Sequence, residues 1–286
     1  MSWTAWNPAP LVLGGAGLAL MLFLRAFLRL RRRSRTDHAG WSRAALFVVA
    51  LALGTLALIS PVDAAGDSYL LSAHMLQHVL IGDVAPALAL VALRGPLLFF
   101  LLPTAVLRCV ARPGRLRQAL AVLLRPRISL GAWMLVMTVW HLPAAYDYAL
   151  AHEAVHELEH GSLIAVGLLA WSQIVDPARR NTLRPTQRLG CMLAMTSFAL
   201  LLGGILLLTS PLYPAYAHES TRLFALSPSR DQQLAGLVMI GEQLVALGLC
   251  AWYLLAQRES SRTVFATPRF GRLTWTPSLD SGKEAR

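Results

Sequence analysis

The 286-residue sequence is 56% hydrophobic and 14% charged, with a mean hydropathy of +0.52, which excludes an ordinary soluble domain and makes the bilayer its solvent. A formal net charge of +11 could suit a nucleic-acid binder, but the basic residues carry no aromatic or groove-binding pattern, and their meaning depends on where they sit relative to a membrane. Cys109, Cys191 and Cys250 lie far apart without CxxC spacing, so isolated core thiols are expected rather than disulfides or a thiolate metal site.

Apolar runs long enough, or nearly so, to cross hydrocarbon occur at 8–24, 44–59, 70–93, 128–148, 156–175, 189–209 and 234–255. The expected fold is therefore an all-α membrane protein with seven transmembrane helices in residues 1–258. A loosely structured tail follows at 259–286, rich in Ser, Thr, Pro and charge. The run 96–102 is too short to span and is placed at the interface. Segments 25–43, 94–127, 179–188 and 258–286 hold 24 of the 26 lysines and arginines, while the alternate connections 61–69, 147–155 and 210–233 hold only Arg222 and Arg230. The positive-inside rule then puts the N-terminus outside and the C-terminus in the cytoplasm, as an odd number of spans requires. No basic region precedes the first span, so it reads as a retained anchor and not a cleaved signal peptide.

On this topology every histidine except His38 falls on or near the outer side. In HMLQH, His74 and His78 share one face of the third span and could chelate one ion; interfacial imidazoles bonded to backbone or water are an equal alternative, and Met75 reads as packing. The fourth span ends in WHLPAAYDYAL, where Pro143 can kink the helix and aim His141 into the bundle. Trp140, Tyr146 and Tyr148 read as an interfacial aromatic belt. HEAVHELEH sets His152, His156 and His160 on a stripe that drifts only about 80° over eight residues, with Glu153, Glu157 and Glu159 placed to orient the imidazoles. The competing reading is a solvated acidic turn. Asp83 and Glu242 fall inside spans, where acids need partners or protons.

In order, HMLQH with the following VAPALAL, WHLPAAYDYAL, HELEH, LYPAY and DQQLAGLVM resemble the motifs of the multi-span CtaG family of cytochrome c oxidase assembly factors, distinct from the single-span copper chaperone that shares the name. The resemblance runs from about His74 to Met239. It implies a multi-pass protein of the bacterial inner (plasma) membrane that matures haem-copper oxidase, with oxidase subunits as partners and copper as the ion handled. By motif it carries metal ligation onto His74, His78, His141, His156 and His160, with Glu159, Asp231 and Gln232 in support. His152 and His218 match less closely, and Asp83 and Glu242 depart from the family's apolar run.

On this reading imidazoles from the third, fourth and fifth spans capture copper at the outer face and pass it to an apo-oxidase subunit. Imidazole also suits zinc and iron, and a Cu(I) carrier more often uses Cys or Met. Two rivals use the same residues. HELEH fits the H-x-x-E-H pattern of a zinc-dependent membrane hydrolase, and histidines on facing helices can ligate haem. A scaffold that only recruits subunits, and self-association of the chain, stay open.

Overall fold

The computed structural model of the chain describes residues 4–266, and among these it is helical with no strand. In chain order the helices are α1 (Pro10–Arg32), α2 (Trp41–Ile59), α3 (Pro61–Ser68), α4 (Leu71–Leu93), α5 (Pro96–Leu101), α6 (Thr104–Ala111), α7 (Arg115–Leu123), α8 (Pro126–His141), α9 (Pro143–Ala151), α10 (Glu153–Val175), α11 (Pro185–Leu208), α12 (Pro214–Ala217) and α13 (Pro228–Ala266). Six of them, α1, α2, α4, α10, α11 and the Pro228–Leu255 part of α13, are long and apolar enough to cross a membrane. The chain is thus a multi-pass helical membrane protein. A seventh crossing exists only as the pair α7 and α8, bent by 74° at their junction, so the expected seven spans become six, or seven if that pair is one span. Most of the predicted tail, from 267 onward, lies outside the described residues.

The predicted fourth span, 128–148, is two helices. Leu142 is extended (φ −70°, ψ 125°) between α8 and α9, because the residue before a proline is disfavoured in the α region and Pro143 has no N–H with which to continue the ladder. A proline also acts inside α4. Pro86 cannot donate to the Gly82 carbonyl, and the helix widens there into a π turn over Leu80–Val84. That carbonyl faces Gly167 of α10 so closely that a Cβ at 167 would stand 1.9 Å from the oxygen. The helices therefore meet backbone to backbone, the way bilayer helices associate when lipid tails are as apolar as leucine and no hydrophobic effect drives them together. α11 and α13 cross similarly, a Cβ on Gly236 falling 2.6 Å from the Gly203 carbonyl.

Apolar side chains fill the spaces between these crossings. Trp133, Met137, Leu163, Ala170, Met192 and Met195 form the central core, and Leu71, Met75, Tyr146, Leu206, Tyr213 and Tyr216 form another beside the histidines. At the opposite, arginine-rich end, Asp176 closes α10 in a left-handed conformation (φ 49°). Burial would raise its carboxyl, but the N–H groups of Asn181 and Arg180 and the Arg188 guanidinium, 2.9 Å away, hold it below its ordinary range. Gly95 (φ 87°) donates its N–H to the Pro177 carbonyl, fastening the end of α4 to the end of α10.

Candidate metal centre

The first turn of α4 has unpaired backbone donors, and a carboxylate 160 positions away satisfies them. Asp231, near the start of α13, accepts the N–H of Leu71 (2.7 Å) and of Ser72 (3.1 Å), an arrangement favoured by both the orphan donors and the helix dipole. Gln232 takes the Leu212 N–H on Oε1 (2.7 Å) and donates from Nε2 to the Leu206 carbonyl (3.0 Å), closing the end of α11. The supporting positions Asp231 and Gln232 thus clamp the start of α4 and the end of α11. From the other side α3 lies on α4: Gln77 donates to Asp63 (2.7 Å), and a Cβ on Gly66 would be 3.0 Å from the His74 backbone.

These contacts place two histidine pairs face to face. His74 and His78 project from one face of α4 with their Nε2 atoms 2.8 Å apart. His156 and His160 project from α10, their rings 4.2 Å apart by centroid, with His156 5.3 Å from His74 and His160 5.5 Å from His78. Glu159 Oε1 lies 3.5 Å from His78 Nε2, and Asp67 of α3 lies 3.7 Å from His156 Nε2. Ligand atoms of His74, His156 and His160 fall within 4.8 Å of one another, as do those of His74, His78 and Glu159. With metal–nitrogen bonds of about 2 Å, nitrogens on a common ion stand roughly 3.3 Å apart at a tetrahedral angle and about 4 Å apart in line. The cluster is thus within a small contraction of closing on a cation.

Buried polar atoms are normally paired. Here both Glu159 oxygens, His156 Nε2, His160 Nε2 and Asp67 Oδ1 are buried without a hydrogen bond. Four imidazoles and two carboxylates, with these five atoms unpartnered, fit a borderline cation such as copper, zinc or iron.

The tautomer of His74 follows from its neighbours. The Tyr216 hydroxyl donates to the Gly66 carbonyl (2.6 Å), so it accepts from His74 Nδ1 (3.3 Å) and from the Tyr146 hydroxyl (2.9 Å). His74 therefore carries its proton on Nδ1 and presents a lone pair at Nε2, the usual way an outer partner fixes a metal-binding imidazole. Burial pushes both tyrosine hydroxyls up, which keeps them protonated. Burial, and then the charge of Asp63, push the Asp67 carboxyl up to about 7.

Not every predicted ligand joins the quartet. His152 is extended (φ −134°, ψ 100°) because α10 starts one residue later; it is exposed, bonds the Tyr148 carbonyl (2.9 Å) and stacks on that ring. The expected three-histidine stripe thus shortens to His156 and His160. His218 is exposed, and His38 pairs with Asp37 at the arginine-rich end. His141 ends α8 with Nδ1 donating to the Met137 carbonyl (2.7 Å), and it meets His78 only across a small internal cavity. Asp83 and Glu242 line that cavity too, Asp83 accepting from Trp171 Nε1 (3.0 Å).

Sequence reasoning missed Asp67, which no spacing rule connects to α10, and misread Tyr146, which is fully buried and not part of an interfacial belt. The LYPAY run held a signal for Tyr216, whose role shows only when the chain is folded. A family model described as cytochrome c oxidase caa3 assembly factor matches residues 21–259. Comparison with curated proteins and with solved structures gives no match.

Proposed function

Since the chain belongs to the family of cytochrome c oxidase caa3 assembly factors, we propose that it serves oxidase maturation by taking up a copper ion on His74, His78, His156, His160 and Glu159 and handing it to an oxidase subunit. One observation carries this reading: two histidine pairs and two carboxylates converge where two spans cross, with half of their side-chain polar atoms buried and unpartnered. The site is placed at the outer face of the bacterial plasma membrane, on the strength of the arginines at the opposite ends of the spans. The side chains of Asp67 and His156 retain 36% and 15% exposure, whereas His74 and Glu159 are closed off. An ion therefore arrives past Asp67 and His156, and an apo-subunit must reach the same rim to remove it.

The rival uses of these residues fare worse. A haem needs a slot for its macrocycle between the facing imidazoles, and here His74, His78 and His160 are buried against one another across the two helices. A hydrolase needs Glu159 beside a substrate and a water, and here it is buried against His78.

The test is the metal content of protein purified without chelator. Wild type is expected to hold copper, His74→Ala/His78→Ala to lose it at unchanged abundance, and His152→Ala to match wild type. In a deletion strain, excess external copper should partly restore oxidase activity, since mass action can replace a carrier. Histidine variants that remain active, with subunits failing to associate at any copper level in the deletion, would show a scaffold instead. Cysteines at Ser68 and Ser220 should label from outside and one at Ser34 only after permeabilisation; labelling of position 34 in intact cells overturns the orientation.

A further inference from the structure

Deeper in the bundle than the quartet, α4, α8, α11 and α13 enclose a cavity of about 20 Å³, room for one ion or one water. His78 and His141 line it, and His78 Nδ1 and His141 Nε2 are both buried without a hydrogen-bond partner. The bonding around each ring shows what those nitrogens carry. His141 Nδ1 contacts the Met137 carbonyl, which can only accept, so the proton of the neutral ring is on Nδ1 and Nε2 holds a lone pair. His74 Nε2 is a lone pair, so the 2.8 Å contact makes His78 Nε2 the donor and leaves a lone pair on His78 Nδ1. When His74, His156 and His160 hold an ion, the His78 Nε2–H turns to Glu159 and the Nδ1 lone pair is kept, whereas an ion that takes His78 Nε2 moves the ring proton to Nδ1 and closes this cavity to a second ion. The cavity thus has two imidazole lone pairs with nothing to accept.

Met75, Met137 and Met239 line the same cavity, all buried. One methionine in a core is ordinary gap filling. Three methionine side chains beside two free imidazole lone pairs, with no thiolate among the lining residues, make a donor set that suits a soft monovalent ion. Asp83 and Glu242 also line the cavity, and Glu242 Oε2 is itself unpartnered, so a counter-charge for one cation is at hand.

We propose that this cavity is a second metal site, specific for Cu(I), formed by His78 Nδ1, His141 Nε2 and thioethers of Met75, Met137 and Met239. The proposal rests on the reading that the protein handles copper, but it adds His141 and three methionines that the quartet does not use, and shares only His78 with it. His78 stands in both walls, so an ion moving inward exchanges a rim of imidazole and carboxylate for a cavity whose thioethers favour Cu(I).

The experiment uses the full chain in detergent, loaded anaerobically with Cu(I), with stoichiometry from chelator competition and the ligand shell from X-ray absorption. Wild type should bind two equivalents and show thioether sulfur. Met75→Leu/Met137→Leu/Met239→Leu, close in volume to the original residues, should lose one equivalent and the sulfur while Zn(II) binding at the quartet is unchanged. His74→Ala/His156→Ala should lose one equivalent and keep the sulfur. A shell of nitrogen and oxygen alone in wild type, as for a cavity holding only water, overturns the proposal. So does sulfur that persists in the methionine variant, since it would come from cysteine. Two equivalents retained in His74→Ala/His156→Ala would instead remove the quartet reading and leave this one. If the triple methionine variant also loses zinc, and so has misfolded, His141→Phe decides: Cu(I) affinity at the sulfur-bearing site must fall at least tenfold with zinc unaffected, and no change overturns the site.

Discussion

Helices α1 and α2 each have a mean hydropathy of 2.1 and bury 17% of their span, whereas α4 and α10 have values of 1.7 and 1.3 and bury 56%. The first pair meets through side chains, with the Phe23 and Phe47 rings stacked 4.1 Å apart and Phe27 beside them. The second meets through backbone at Gly82 and Gly167, and α4 then adds hydrogen bonds reaching α3, α12 and α13. The less hydropathic pair is the more buried one, because lipid tolerates only apolar surface while a protein neighbour can satisfy polar groups. Low hydropathy within a span therefore points toward the bundle interior, and here toward the histidines.

Four substitutions probe that difference. The largest effect is expected from Gly167→Ala, whose new Cβ meets the Gly82 carbonyl and must force the central helices apart, at a cost of about 3 kcal/mol. Thermal unfolding in detergent reads it, and a near-neutral result would show that the crossing is loose. Next is Asp231→Ala, which uncaps α4 and should lower stability by about 2 kcal/mol while weakening metal binding at His74 and His78, three and seven residues into the helix.

Smaller still is Asp67→Asn in metal-stripped protein. The Asp67 carboxyl is pushed up to about 7, against about 3.9 when unfolded. The folded chain therefore holds a proton that the unfolded chain releases, and its stability falls as pH rises from about 4 to about 7. Asparagine removes that loss, so the Tm of the variant relative to wild type should grow by about 2 °C between pH 5 and pH 8; a gap that shrinks would contradict the burial of Asp67. The smallest change has the opposite character. Gly15→Ala in α1, where a Cβ meets nothing within 4 Å, should gain about 0.5 kcal/mol from helix propensity. If Gly15→Ala and Gly167→Ala proved equally costly, the contrast between the two pairs would be lost.

Much of the architecture was legible because hydrocarbon imposes it: spans show as apolar runs, and their connections as arginine. Half of the metal centre was legible for a similar reason, since the four-residue spacings His74/His78 and His156/His160 report a shared helix face whatever the fold. The rest depended on contacts that no local rule encodes. Gly82 and Gly167 are 85 positions apart in sequence, and Pro86 shows only as a proline in an apolar run until the carbonyl it frees is seen against α10. His152 was misplaced because the stripe was counted from a helix start one residue too early. Pro143 was expected to bend a span and instead ends one, which is why His141 faces the cavity shared with His78 and not the quartet.

The π turn at Leu80–Val84 has a consequence for how α4 is indexed. Each residue of an α-helix advances the side chain by about 100°, and a π turn absorbs one extra residue, so the stretches before and after it keep separate angular settings. Leu71–Val79 carries the histidines toward α10, while Ala85–Leu93 turns Leu90, Ala92 and Leu93 into the apolar layers. Rewinding the turn as α-helix with all its residues kept would push the extra residue into the flank and swing His74 and His78 by about 100° about the axis, leaving the lower half meshed as before. The bulge is the phase offset between two wheels on one axle, and the quartet closes only at that setting.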